Sequence, residues 1–148
     1  MVVLFRLMMM FVGYMLACVA ASLVLALGTL APEWNELFAS FGLQSSEAQS
    51  AAMWMVVGLG ALIIFAVGLL PMLLIIVIVE GFALRSVVVY GVIGGALALV
   101  MAYGLDFVNY VAVPGSDLAR EREVFAAAGI AGGLVYWLFA GRKAGAWK

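Results

Sequence analysis

Four long apolar stretches, Leu7–Ala31, Ala51–Val79, Ser86–Leu105 and Val124–Ala140, take up most of the chain, and nearly every charge lies between or outside them. Arg6 precedes the first stretch. Glu33, Glu36 and Glu47 separate it from the second, and Glu80 and Arg85 separate the second from the third. A mixed set from Asp106 to Glu123 precedes the fourth, and Arg142, Lys143 and Lys148 follow it. The stretches hold 25, 29, 20 and 17 residues. A helix rises about 1.5 Å per residue, so roughly 20 apolar residues cross a hydrocarbon core about 30 Å thick. The layout therefore predicts an all-α polytopic membrane protein. It is expected to be a four-transmembrane-helix bundle in a single membrane domain, with helices over about 3–31, 47–79, 85–106 and 117–141.

A soluble alternative fails on surface chemistry. Soluble domains are roughly a quarter charged, whereas this chain is 68% hydrophobic and 10% charged. A transmembrane barrel fails on pattern, because its strands alternate over about 10 residues and these stretches are continuously apolar. The first two stretches exceed a perpendicular crossing, so tilt or a kink is expected. Pro71, inside the second, removes a backbone donor and is the natural place for a kink. The fourth helix is expected to begin before its apolar run, at the Pro114–Asp117 turn, with Ser116 or Asp117 as cap and Glu121 in its early turns. The first stretch is longer than the roughly 7–15 residues of a signal-peptide core and is preceded only by Arg6, so it reads as a retained anchor.

Short-loop arginines and lysines set orientation. With the amino terminus inside, Arg6, Arg85, Arg142, Lys143 and Lys148 face the cytoplasm, against Arg120 and Arg122 outside. Both termini are therefore expected in the cytoplasm. Trp34, Trp54, Tyr103 and Tyr110 would then mark the outer interface, and Trp137 and Trp147 the inner one. In the external loop 32–46, Trp34, Leu37, Phe38 and Phe41 recur at helical spacing, which predicts a short interfacial helix. Ser46 and Gln49 form a Ser-x-x-Gln box expected to cap the second spanning helix.

Small residues recur every fourth position. Gly91 and Gly95 form a Gly-x-x-x-Gly pair in the third helix, with Gly94, Ala98 and Ala102 beside it. The fourth carries Ala128 with Gly132 and Gly129 with Gly133, and the first carries Gly13, Ala17 and Ala21. Lipid offers no hydrophobic drive for helix association, so such stripes let backbones approach closely. They serve either packing within the bundle or the docking of a partner.

Chemistry-bearing residues are scarce. With no histidine and a single cysteine, the usual zinc and b-type haem ligands are missing, no cofactor is implied, and Cys18 reads as a small packed hydrophobe. Met8, Met9 and Met10 face three directions on a helix and do not converge on a metal, and Met15 reads as packing too. Glu80 with Arg85, and Asp106 with Asn109, are the candidate polar or ion sites, and each pair also reads as a solvated helix end. Tyr14, Ser22, Thr29, Tyr90 and Tyr136 are polar enough to hydrogen-bond between helices, but none forms a nucleophile–base pair. No catalytic residue is assigned and an enzyme is not expected, and a net charge of −1 gives no support for nucleic-acid binding.

The run from Ala128 to Gly145, with its Gly132-Gly133, Tyr136-Trp137 and Gly141-Arg142-Lys143, resembles the end of small uncharacterised four-helix inner-membrane proteins of alphaproteobacteria. The resemblance extends to the Gly81–Leu84 turn and the Gly-rich helix after it. It implies a bacterial inner membrane and no particular activity. Residues and resemblance together lead to a non-catalytic accessory or stabilising subunit of a larger membrane complex. Its docking would centre on Gly91, Gly95, Gly129 and Gly133, in contact with the bilayer and with other subunits or further copies of itself. The alternative is a small self-associating transporter or channel with Glu80 or Asp106 on its path.

Overall fold

The computed structural model describes residues 2–30, 34–81, 86–104 and 118–143. Five α-helices account for most of them: α1 (Val2–Leu25), α2 (Trp34–Ser40), α3 (Ser46–Gly81), α4 (Val87–Gly104) and α5 (Leu118–Phe139). No strand occurs among the described residues. Helices are the expected outcome where the surroundings offer no water, because each helix satisfies its own backbone polar groups. α1, α3, α4 and α5 are long and apolar enough to cross a membrane. The chain is a multi-pass integral membrane protein.

Helix ends follow local chemistry. α1 passes into a π-helical turn, Ala26–Leu30. There the Thr29 hydroxyl donates to the Leu25 carbonyl at 2.7 Å, and the Arg120 guanidinium donates to the Gly28 carbonyl at 3.1 Å. Carbonyls at a helix end have no partner of their own, and these side chains supply one. α2 stops at Ser40 because Gly42 takes a left-handed backbone, φ 68°. Gly42 N–H then donates to the Ala39 carbonyl at 3.1 Å and Leu43 N–H to the Phe38 carbonyl at 2.8 Å, the paired bonds of a Schellman cap. Phe41 falls beyond the helix and is exposed, so the apolar face of α2 is Trp34, Leu37 and Phe38, with the Trp34 and Phe38 rings 5.0 Å apart.

The cap of α3 is Ser45 rather than Ser46. The chain is already helical at residue 46, and the Ser45 Oγ accepts the Ala48 N–H at 3.2 Å. The Gln49 side chain reaches back to the Leu43 carbonyl at 3.0 Å, so the expected Ser46–Gln49 box is replaced by a Ser45 cap with a Gln49 tether. At 36 residues α3 is about 54 Å long, well beyond one perpendicular crossing. It continues through Pro71, whose missing N–H leaves the Val67 carbonyl without its usual helical partner.

The spanning helices form a row rather than a closed ring. α3 packs on α1, α1 on α5, and α5 on α4. Among the described residues, α3 and α4 at the two ends of the row scarcely approach each other. Each neighbouring pair runs antiparallel, as Tyr14 with Phe65, Ser22 with Val57, Ala17 with Gly132 and Tyr90 with Gly133 make plain. One core cluster gathers Ala17, Tyr90 and Tyr136, with Met72, Ile75 and Ile93 packed against it. A second joins Ala102 and Phe125, with Leu25 alongside. The outward faces of α1 and α3 remain apolar and exposed, as a lipid-facing surface requires.

Candidate functional site

Three helix seams and the cavity between them are the organised features of this molecule. The α4–α5 seam is built from backbone on backbone. A Cβ added to Gly94 would strike the Gly129 carbonyl oxygen, one on Gly129 would strike that of Gly94, and one on Gly133 would strike that of Tyr90. Ala98 Cβ closes the far side of Gly129, and Ile130 Cγ1 would lie 3.0 Å from a Cβ on Gly95. Gly91 is looser, with Ile130 and Leu134 methyls at 3.8 Å. Gly132 faces α1 instead, 3.2 Å from the Ala17 carbonyl oxygen. The stripe on the third and fourth spanning helices is therefore consumed inside the chain. Gly94, Ala98, Gly129 and Gly133 meet each other, and each keeps a partly exposed edge on the cavity side of the seam.

The α1–α3 seam uses hydroxyls. Ser22 Oγ donates to the Val57 carbonyl at 2.8 Å, and Tyr14 Oη donates to the Phe65 carbonyl at 3.0 Å. Each hydroxyl sits over a glycine three residues after its acceptor. A Cβ on Gly60 would collide with Ser22 Oγ, and one on Gly68 would lie 2.8 Å from Tyr14 Oη. Tyr14 and Ser22 are eight residues apart, and so are Gly68 and Gly60, so the same unit is used twice along one antiparallel pair. Gly60 and Gly68 were not distinguished by sequence reasoning. The equal spacing was the signal, but it carries meaning only once α1 and α3 are known to be neighbours.

A cavity of about 190 Å³ lies between α3 and α4, floored by α1 and α5. Its wall is almost wholly apolar, and Tyr14, Cys18, Tyr90 and Tyr136 are among the residues that line it. Its α3 side runs from Ile63 to Ile75, whereas its other walls continue to Leu25, Ala102 and Phe125. Met72 and Ile75 pack onto the Tyr90 cluster and close one end, while the end at Leu25, Ala102 and Phe125 has no lining residue from α3.

The expected polar sites lie at the margins. Glu80 falls in the last turn of α3, and its side chain, with Arg85, Asp106 and Asn109, is outside the described residues. Two arginines stack on aromatic rings at the ends of spans: Arg122 is 5.3 Å from the Tyr103 ring centre, and Arg142 is 5.8 Å from that of Trp137. Such pairs anchor helix ends where an apolar ring meets a wet headgroup layer. Glu121, which sequence reasoning placed only as an early-turn residue, is buried. It heads the buried stripe Glu121, Phe125, Ala128, Gly132 and Tyr136 of α5, and that helical spacing was the available signal. A carboxylate in the first turn of a helix is favoured by the positive end of the helix dipole.

Comparison of the chain with protein-family models, with curated proteins and with solved structures gives no match. What the site can do chemically therefore rests on its own geometry. The described residues provide close helix packing, two hydroxyl-to-carbonyl clasps and an apolar cavity.

Proposed function

We propose that this chain is a non-catalytic accessory or stabilising subunit of a larger membrane complex in a bacterial inner membrane, with both termini in the cytoplasm. Because the α4–α5 glycines are occupied, docking shifts to the outer face of α3. The observation that carries this is Gly58. Glycine inside a helix is less favourable than alanine by about 0.5–1 kcal/mol, so a helical glycine needs a reason. Gly60, Gly68, Gly94, Gly129 and Gly133 each have one in a contact of their own chain. Gly58 is exposed, lies mid-helix, and a Cβ there would meet nothing. It leaves a notch between exposed Met55 and Leu62 on a helix whose one extensive neighbour among the described residues is α1. A notch of this kind admits the backbone of another helix in lipid. The inner-membrane setting is supported by the resemblance of the C-terminal run, and the orientation by the arginine and lysine asymmetry. A transporter gains no such support, because the cavity wall is almost wholly apolar rather than a hydrated path.

Gly58→Leu tests the reading. On an unpartnered, lipid-facing helix the substitution is neutral or stabilises the chain by up to ~1 kcal/mol through helix propensity. On a docking face it blocks the partner while the protein still inserts and melts normally. The measurement is native mass after mild detergent extraction. The wild type should carry a second subunit, foreign or identical, and Gly58→Leu should run alone. Equal recovery of the second subunit with both proteins would sink the proposal.

A further inference from the structure

We propose that the cavity between α3 and α4 binds one small uncharged aromatic molecule, a single ring with at most a methyl-sized substituent. The site is separate from the partner face at Gly58, which is exposed and does not line the cavity. Volume sets the size of the guest. An apolar cavity of about 150 Å³ stays dry and takes up benzene, and this one measures about 190 Å³ with an almost wholly apolar wall. The surplus is close to the roughly 30 Å³ that one water occupies in the liquid, which leaves room for a methyl group but not for a second ring. In filling the space the guest gains dispersion contacts on every side.

Shape favours a compact guest over an extended one. Ala21 of α1, Gly94 and Ala98 of α4 and Gly129 and Gly132 of α5 all border the cavity. Gly132 faces Ala21, and Gly94 faces Gly129, so these small residues widen one level of the space. Larger side chains bound it on either side of that level. Met72 stands at one end with the Tyr90 and Tyr136 rings, which are 5.9 Å apart, and Leu25, Met101 and Phe125 stand at the other. Chemistry favours an aromatic guest. Tyrosine and phenylalanine rings take a further ring edge-to-face or offset, and methionine sulfur gains from contact with a ring edge. A wall so poor in polar groups rejects a charge. Among the described residues the row of helices is open between α3 and α4, so a guest dissolved among lipid tails reaches the space sideways without crossing water.

The test uses the full chain in phosphatidylcholine nanodiscs, with isotope-labelled methionine methyls read by NMR during titration with benzene. Met72 and Met101 line the cavity, whereas Met8 and Met55 are exposed on the outside of the bundle. The Met72 and Met101 signals should move and saturate, while those of Met8 and Met55 should drift in proportion to the benzene dissolved in the bilayer. Val67→Phe and Leu97→Phe, which place a ring in the cavity from opposite walls, should each weaken binding by about tenfold or more, because the space then has no volume to spare. Val92→Phe, on the exposed side of α4, should leave it unchanged. Thermal melts no lower than wild type establish that at least one filling variant is folded. Linear drift of Met72 and Met101 in the wild type overturns the proposal, and so does undiminished saturation in a folded filling variant. Saturation by cyclohexane at the same concentration as benzene overturns the assignment to an aromatic guest.

Discussion

Gly133→Leu is expected to destabilise the bundle by about 3 kcal/mol or more, the upper end of what overpacking a tight interior costs. The new Cβ alone strikes the Tyr90 carbonyl oxygen and lies 3.0 Å from its carbonyl carbon, and Gly91 Cα is 3.5 Å away. These are backbone atoms of a neighbouring helix, so no rotamer change relieves the contact. α4 must move away from α5, and that breaks the reciprocal Gly94–Gly129 approach one turn further along. In lipid there is no hydrophobic force to pull the separated helices back, because tails replace the lost contacts. Unfolding in mixed detergent micelles reads the effect, with Gly91→Ala as comparison. At Gly91 the added methyl meets Ile130 and Leu134 at an ordinary 3.8 Å, and helix propensity favours alanine by up to ~1 kcal/mol. Equal unfolding midpoints for Gly133→Leu and wild type would show that α4 and α5 do not pack through these glycines.

The clasp between α1 and α3 predicts a non-additive pair. Gly60→Ala alone should destabilise by about 1 kcal/mol, since the new methyl displaces Ser22 Oγ from the Val57 carbonyl and a buried hydroxyl without a partner costs about 1–3 kcal/mol, partly offset by the propensity of alanine. Ser22→Ala alone should lose about 0.6 kcal/mol, the average for an interhelical hydrogen bond in a membrane protein, with a ceiling near 1.7. The double variant should be more stable than Gly60→Ala alone, because Ser22 Cβ lies 3.5 Å from the new methyl, in ordinary contact, and no hydroxyl is left to satisfy. A double-mutant cycle measures this coupling. Strict additivity of the two changes would mean that Ser22 and Gly60 do not face each other.

Several local features were legible because each depends on residues near one another in the chain. Continuous apolar runs led to the spans, and the spacing of Trp34, Leu37 and Phe38 led to α2. The position of the α3 cap slipped by one residue, because Ser45 and Ser46 are adjacent candidates and only the backbone entering the helix decides which hydroxyl reaches an unpaired N–H. Glu121 was missed for a different reason. Charge normally marks the exposed side of a helix end, and its burial follows from the face of α5 that turns towards α1 and α4.

The sequence by itself determined that this protein crosses a membrane, and how many times. Hydrocarbon admits a helix only if about 20 consecutive residues tolerate it, and that condition is met or failed residue by residue along the chain. Only the tertiary structure decided what the glycines are for. A small residue on a helix looks the same whether its groove receives a neighbour from the same chain, another protein or a lipid tail. The order α3–α1–α5–α4 assigned Gly94, Gly129 and Gly133 to internal packing and Gly60 and Gly68 to hydroxyl clasps. It also left Gly58 facing outward and a cavity where α3 and α4 fail to meet. That order is set by which surfaces fit closely enough to exclude lipid, a property of pairs of helices that no single stretch of sequence contains.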